Sequence, residues 1–390
     1  MLLSPTLGAC SSKSIDDGEP DDPNRPPDVS ELGLGDGTLD SVVLTELYRP
    51  SSRVPLSATA LAFNATIEGE LWVTLRQFPT GEKCVDPREV EVDEAVNDRA
   101  CAALPGVAAV ISDAPGNASG IIKEDGNSWH FMRRPVAISW GENDLFGSCG
   151  ESYTDNYEHI DVPYAGPVLW SSDPTIFGVE PLPSQNGTHL DMLHETPLCM
   201  GIAHETGNAY WTFNGDAGSL DRYDFHAPHQ IGGEDHADGE VFRFARGEVL
   251  RVPEVPSHMA WDKARSRLYV ADTGHQRLLS VDPSTATRGG AITTYEELHD
   301  SGEMLGASVV ELVPPGLFDA PSGLALAGET LYVTDNATSV IYAFDVEGEL
   351  LLSLDTGLPA GTLAGIAIGP DQKVYFTDML TGAVMRIDPL

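Results

Sequence analysis

Ser322-Gly323-Leu324-Ala325-Leu326, a short polar turn, then Thr330-Leu331-Tyr332-Val333-Thr334-Asp335: this phrase decides the fold. It holds a small-apolar strand, a turn and an aromatic strand that ends in Asp. It recurs as Ser257-His258-Met259-Ala260-Trp261-Asp262 with Arg267-Leu268-Tyr269-Val270-Ala271-Asp272. It recurs again as Ala364-Gly365-Ile366-Ala367-Ile368 with Lys373-Val374-Tyr375-Phe376-Thr377-Asp378. Weaker copies pair residues 200–204 with 208–213, 135–139 with 143–147, and 58–62 with 70–74. Period-two alternation bounded by Gly, Pro, Asn or Asp argues strand over helix. About six copies, roughly 40 to 75 residues apart, predict an all-β, six-bladed β-propeller with loop insertions.

Composition narrows the class. A 41% hydrophobic content supplies a core, and 39 glycines with 28 prolines suit a turn-rich β chain. The formal net charge is −38. Such a surface repels phosphate backbones and anionic headgroups, so nucleic acid is excluded as a partner and membrane contact is expected only through an anchor. The chain is expected to be a monomer.

The last copy supplies strands near 364–368, 374–377 and 383–387, one short of a four-stranded blade. Residues 41–48, Ser-Val-Val-Leu-Thr-Glu-Leu-Tyr, form an isolated strand ahead of the first copy. Placed as the outer strand of the last blade, that segment closes the ring and hides an edge.

Residues 1–10 are apolar and end in Leu7-Gly8-Ala9-Cys10, which resembles a bacterial lipoprotein signal ending. The resemblance implies lipidation at Cys10 and a place in the cell envelope, in the periplasm or at the cell surface. Residues 11–37, rich in Asp, Pro, Ser and Gly, read as a disordered tether, with the propeller over 38–390. Four cysteines remain: Cys84, Cys101, Cys149 and Cys199. An even number fits two disulfides in an oxidising compartment, most simply Cys84–Cys101 and Cys149–Cys199, among three possible pairings.

Ala271-Asp272-Thr273-Gly274-His275-Gln276-Arg277-Leu278 resembles the core of an NHL repeat, the blade type of many six-bladed propellers. The likeness is good over the last three blades and poor before residue 130. It implies fold alone, because such propellers serve as binding scaffolds and as enzymes.

In a meander blade, loops entering the innermost strand share a face with loops joining strands two and three. That funnel face is the expected site for a small molecule, peptide or protein. Candidate ligand-binding residues there are Arg133, Arg134, Asn214, Asp216, Asp272, Asp335 and Asp378. His189, His194 and His258 are candidate ligands for a divalent metal in the central funnel, since neutral imidazoles suit zinc. A second candidate metal set lies in the loop after residue 225: His226, His229, Asp235, His236 and Asp238. Strand counting puts that loop on the opposite face, where it would hold zinc or calcium structurally. Two functions follow as expectations. One is a lipid-anchored propeller that binds a ligand or partner protein. The other is a metal-dependent lyase or hydrolase resembling the amidating-lyase propellers, whose zinc is held by histidines of different blades. No GxSxG elbow and no phosphate-cradling Gly-rich loop occurs.

Overall fold

A computed structural model of the chain describes residues 30–52, 55–77, 106–154, 162–179 and 186–390. Its strands fall into six sheets, one per expected blade, each built on an antiparallel meander. Blade I holds Leu56–Phe63, Leu71–Gln77, Val107–Ser112 and Ser119–Lys123. Blade II holds Pro135–Trp140, Leu145–Gly150, Val168–Ser171 and, outermost, Asp191–Met192. Blade III holds Cys199–Thr206, Ala209–Asn214, Ser219–Asp224 and Glu240–Phe244. Blade IV holds Met259–Asp262, Arg267–Asp272, Arg277–Asp282 and Ser308–Val313. Blade V holds Pro321–Ala327, Thr330–Asp335, Val340–Asp345 and Leu350–Asp355. Blade VI holds Leu363–Ile368, Val374–Asp378 and Ala383–Pro389.

The ring closes as the sequence predicts. Val42–Tyr48 pairs antiparallel with Ala383–Pro389, Val42 opposite Pro389 and Leu44 opposite Ile387. Six apolar clusters follow, each filling the space between one neighbouring pair of blades. The second strands explain why. Leu331 and Val333 pack toward blade IV while Tyr332 packs toward blade VI. Both faces of these strands are buried, so period-two placement yields nearly unbroken apolar runs. The Gly of the inner strand answers to crowding at the axis. A Cβ on Gly323 would stand 1.9 Å from the Ala364 carbonyl oxygen of the next blade, and one on Gly201 would stand 2.1 Å from that of Ser257.

Two features depart from a plain ring. Residues 30–37, assigned by composition to the tether, are part of the folded body. Leu32 is fully buried between blades V and VI, and Asp36–Gly37 adds a parallel strand to Leu350–Asp355. One buried leucine, Leu32, and the pairing of Asp36–Gly37 with the blade V edge dock a stretch that is otherwise polar. The second feature lies between Asp282 and Ser308 of blade IV. There the chain leaves its own blade, and its strands Asp300–Leu305 and Thr287–Arg288 extend blade III to six strands. This insertion covers the outer edge of blade III and brings Tyr295 and Glu296 toward blade II.

Cys149 and Cys199 form the expected disulfide, joining the second strand of blade II to the inner strand of blade III. Cys10, Cys84 and Cys101 lie outside the described residues.

Candidate functional site

Blade II ends in an outer strand of only two residues, Asp191–Met192, flanked by His189 and by His194 and Glu195. A strand this short leaves an open edge, and three segments from other blades cover it. The connection from blade I contributes the helical turn Ser128–Phe131, fixed to the 186–190 segment by Asp125. That carboxylate accepts from the N–H and the hydroxyl of Thr188 at 2.8 and 2.6 Å. The long loop of blade III reaches across, with His229 N–H donating to Leu190 O (3.1 Å) and Gly232 N–H to His189 O (2.9 Å). The blade IV insertion brings the third segment, Tyr295 and Glu296.

Between these segments lies a cavity of about 670 Å³. Rings form much of its wall: Trp129, His130, Phe131, Tyr164, His189, His194, His236 and Tyr295. Phe131 stacks on His189 and Tyr164 on His194, each pair with centroids 3.7 Å apart. Glu234 and Glu296 line the cavity, and among the described residues no Lys or Arg does.

The imidazoles share one orientation. Nδ1 of His189 meets Asn186 O at 2.8 Å, and Nδ1 of His229 meets Gln230 O at 2.7 Å. Nδ1 of His194 meets Glu296 Oε2 at 2.8 Å, and Nδ1 of His236 meets Asp191 Oδ1 at 2.9 Å. Oxygens that only accept place the proton on Nδ1 and leave Nε2 with its lone pair. Nε2 of His194, Nε2 of His229 and Oδ2 of Asp191 are buried without a hydrogen-bond partner. One donor atom each from Asp191, His229 and His236 lies within 4.8 Å of the others.

Burial sets the local acid–base behaviour. It pushes His189 down to about 3, the neighbouring His229 and His236 adding to the effect, so the ring is neutral. Asp191 is pushed up by burial despite its bond to His236. For His236 burial acts downward, but the hydrogen bond and charge of Asp191, with Glu296 and Asp235, hold it above its ordinary value. Burial would raise Glu296 as well, yet its bonds to His194 keep it below the usual range. Burial pushes Glu195 up to about 8, although Tyr295 N–H donates to it.

Two expected clusters thus become one. The loop after residue 225 does not stay on the far face; it wraps the outer edge of blade II, so His229 and His236 join His189 and His194 there. The histidine set proposed for the central funnel does not assemble. His258 is buried at the axis, where its Nε2 donates to Val136 O at 2.8 Å, and burial pushes it down to about 4. His258, just ahead of the inner strand of blade IV, thus bonds to the inner strand of blade II, while His189 and His194 line the cavity at the outer edge of blade II.

The rest of the loop set also separates. His226 is exposed between Asp224 and Glu240, at 3.9 and 3.5 Å. Asp235 and Asp238 accept from the N–H groups of Ala237 and Ala227.

Most funnel-face candidates hold structure together. Asp272 is fully buried and bonds Arg277, His275 and Leu250 N–H. Asp335 and Asp378 cap their own turns through backbone N–H groups. Asn214 donates to Asp221 and to Glu195 O. Asp216 is exposed beside a second cavity of about 260 Å³ that Glu195 and Arg243 also line. Arg133 donates to Thr154 O. Arg134 joins a buried ionic cluster in which Glu151 meets Arg76, Arg134 and Arg251 at 3.2, 3.3 and 3.0 Å. Trp129, His130, Tyr164, Tyr295 and Glu296 were not singled out by sequence reading. For Tyr295 and Glu296 a signal existed, the oversized interval between the third and fourth strands of blade IV.

A closed ring of six four-stranded blades with these repeats is an NHL-like β-propeller. No family model matches the chain. Over 130 residues it is 32% identical to human NHL repeat-containing protein 2, a match covering 32% of this chain and 16% of that protein. The bovine protein of the same name is 31% identical over 126 residues, covering 30% of this chain and 16% of its own length. The chain therefore spans only a small part of these relatives. Among solved structures, an auxiliary nutrient binding protein from Bacteroides ovatus aligns over 90% of this chain and 77% of its own, with TM-score 0.52 and 11% identity. One of the same description from Bacteroides thetaiotaomicron aligns over 89% and 76%, with TM-score 0.52 and 10% identity. At these identities the likeness is one of fold. Among the described residues no helix is long and apolar enough to cross a membrane.

Proposed function

We propose that the chain is a ligand-binding propeller of the bacterial cell envelope, and that it takes its ligand at the outer edge of blade II rather than in the central channel. The observation that carries this reading is the 670 Å³ cavity, whose walls come from blades I to IV and hold the unpartnered Nε2 of His194. The volume suits a small organic molecule. The rings and the Glu234 and Glu296 carboxylates of the described lining favour a neutral hydroxylated or a cationic ligand over an anionic one. The nutrient-binding description of two propellers of similar fold agrees with a binding role. Attachment through a lipid on Cys10 and the acidic stretch behind it is the matching reading of the N-terminus. It predicts that Cys10→Ser moves the protein from the detergent phase to the aqueous phase of a phase-partition assay.

The binding reading is tested by isothermal titration of the protein with sugars, amino acids and short peptides, beside a Tyr164→Ala variant. A ligand that binds the parent and loses at least tenfold in affinity in the variant supports the cavity. A ligand bound equally by both would place recognition elsewhere and overturn the reading.

A further inference from the structure

Resting on the cavity as the binding site, we propose that Asp191, His229 and His236 hold a divalent transition metal of zinc type in its wall. The three residues come from two blades. Asp191 belongs to the outer strand of blade II, while His229 and His236 lie in the blade III loop that two backbone hydrogen bonds fasten to residues 189 and 190.

Distances favour coordination. The three donor atoms lie within 4.8 Å of one another. A tetrahedral ion with bonds of about 2.0–2.2 Å separates its donors by roughly 3.4 Å, so small side-chain rotations close the set. Two of the residues carry atoms that lack any other use. Asp191 Oδ2 and His229 Nε2 are buried and unpartnered, a costly condition that a bound cation would relieve.

The surroundings are those a metal ligand needs. His229 is oriented by its Nδ1 contact to Gln230 O, which leaves Nε2 as the donor. His236 Nδ1 and Asp191 Oδ1 stand 2.9 Å apart, close to the spacing of two donors on one tetrahedral ion. The neutral His189 ring, 4.9 Å from that of His229, stands next to the set. Two imidazoles and one carboxylate suit zinc and its neighbours; calcium, which takes six to eight oxygens, does not fit. Three protein donors leave a tetrahedral ion one position for water or ligand. Because His236 is itself a cavity-wall residue, that ion would stand within reach of a bound molecule.

The test uses the full chain, stripped with chelator, dialysed against zinc alone and assayed by elemental mass spectrometry and by cobalt absorption. One zinc per chain is expected, with visible cobalt bands of a four-coordinate site. His229→Gln, at a half-buried position, and Asp191→Asn should each weaken zinc binding about tenfold or more. His226→Gln, outside the set, should keep it. Zinc absent from the folded parent, or bound equally by both ligand variants, overturns the proposal. Zinc binding without any organic ligand sinks the binding reading and leaves the metal site standing; ligand binding without zinc does the reverse.

Discussion

His194 and Glu296, 102 residues apart in sequence, are joined twice: the backbone N–H of His194 donates to Oε1 and its Nδ1 to Oε2, both at 2.8 Å. The neighbouring residues return the arrangement, since Glu195 Oε1 accepts from Tyr295 N–H at 2.7 Å. Two carboxylates from facing segments each take the backbone donor of the other, and this fastens the blade IV insertion over the edge of blade II.

Glu296→Ala should therefore loosen the insertion without unfolding the ring. It leaves the His194 N–H unmet and removes two charge-assisted bonds, a loss of about 1.5–3 kcal/mol. Hydrogen exchange should rise over residues 290–305 while blades V and VI stay protected. Unchanged exchange there would refute the fastening role.

Glu195 makes the same junction sensitive to pH. Its folded value is raised to about 8 by burial, against about 4.5 when unfolded. The folded state thus holds a proton that the unfolded state releases, and the resulting stability is present below about 4.5 and lost as pH rises through 8. Glu195→Gln, which keeps the acceptor for Tyr295, should melt higher than the parent at pH 9 and no higher at pH 4.5. Melting curves across that window decide it.

The Cys149–Cys199 bridge spans 50 residues of sequence. Loop-closure entropy for that length, less native-state strain, predicts a loss of about 2–4 kcal/mol in the Cys149→Ser/Cys199→Ser double variant. Denaturant titration measures it, and an equal midpoint for both proteins would contradict the estimate.

Ring closure predicts its own phenotype. A chain lacking residues 30–48 loses Leu32 and Val42 from the cluster between blades V and VI and bares the edge of Ala383–Pro389. It should unfold at lower denaturant and scatter light on standing, because an open strand edge pairs with other chains. A soluble, equally stable truncated chain would show that closure is dispensable.

The blades were legible because their strands are buried on both faces. In Leu331-Tyr332-Val333 alternate side chains serve different neighbours, so the apolar pattern itself encodes stacking on both sides. The Val42–Tyr48 closure was legible too, since the last blade lacked one strand and one strand was unassigned. The site was legible only in part. In sequence, His189 and His194 read with His258 as one cluster, and His229 and His236 as a second on the opposite face; the structure brings the first two and the last two to one edge. Periodicity carries no information about where a long loop lands, and ring residues such as Tyr164 are as common in cores as in pockets.

What the amino-acid sequence determined alone was the six-bladed architecture, its closure by an N-terminal strand and the acidic character of the surface, all of which follow from local alternation, turn residues and composition. Only the tertiary structure decided that the blade III loop and the blade IV insertion cross the outer edge of blade II, bring His194, His236 and Glu296 around one cavity and set Asp191 and His229 beside His236. The physical reason is the short fourth strand of that blade. Two residues cannot cover an edge, and the segments that bury it, by backbone hydrogen bonds and charge-assisted pairs, come from 45, 63 and 102 residues away along the chain.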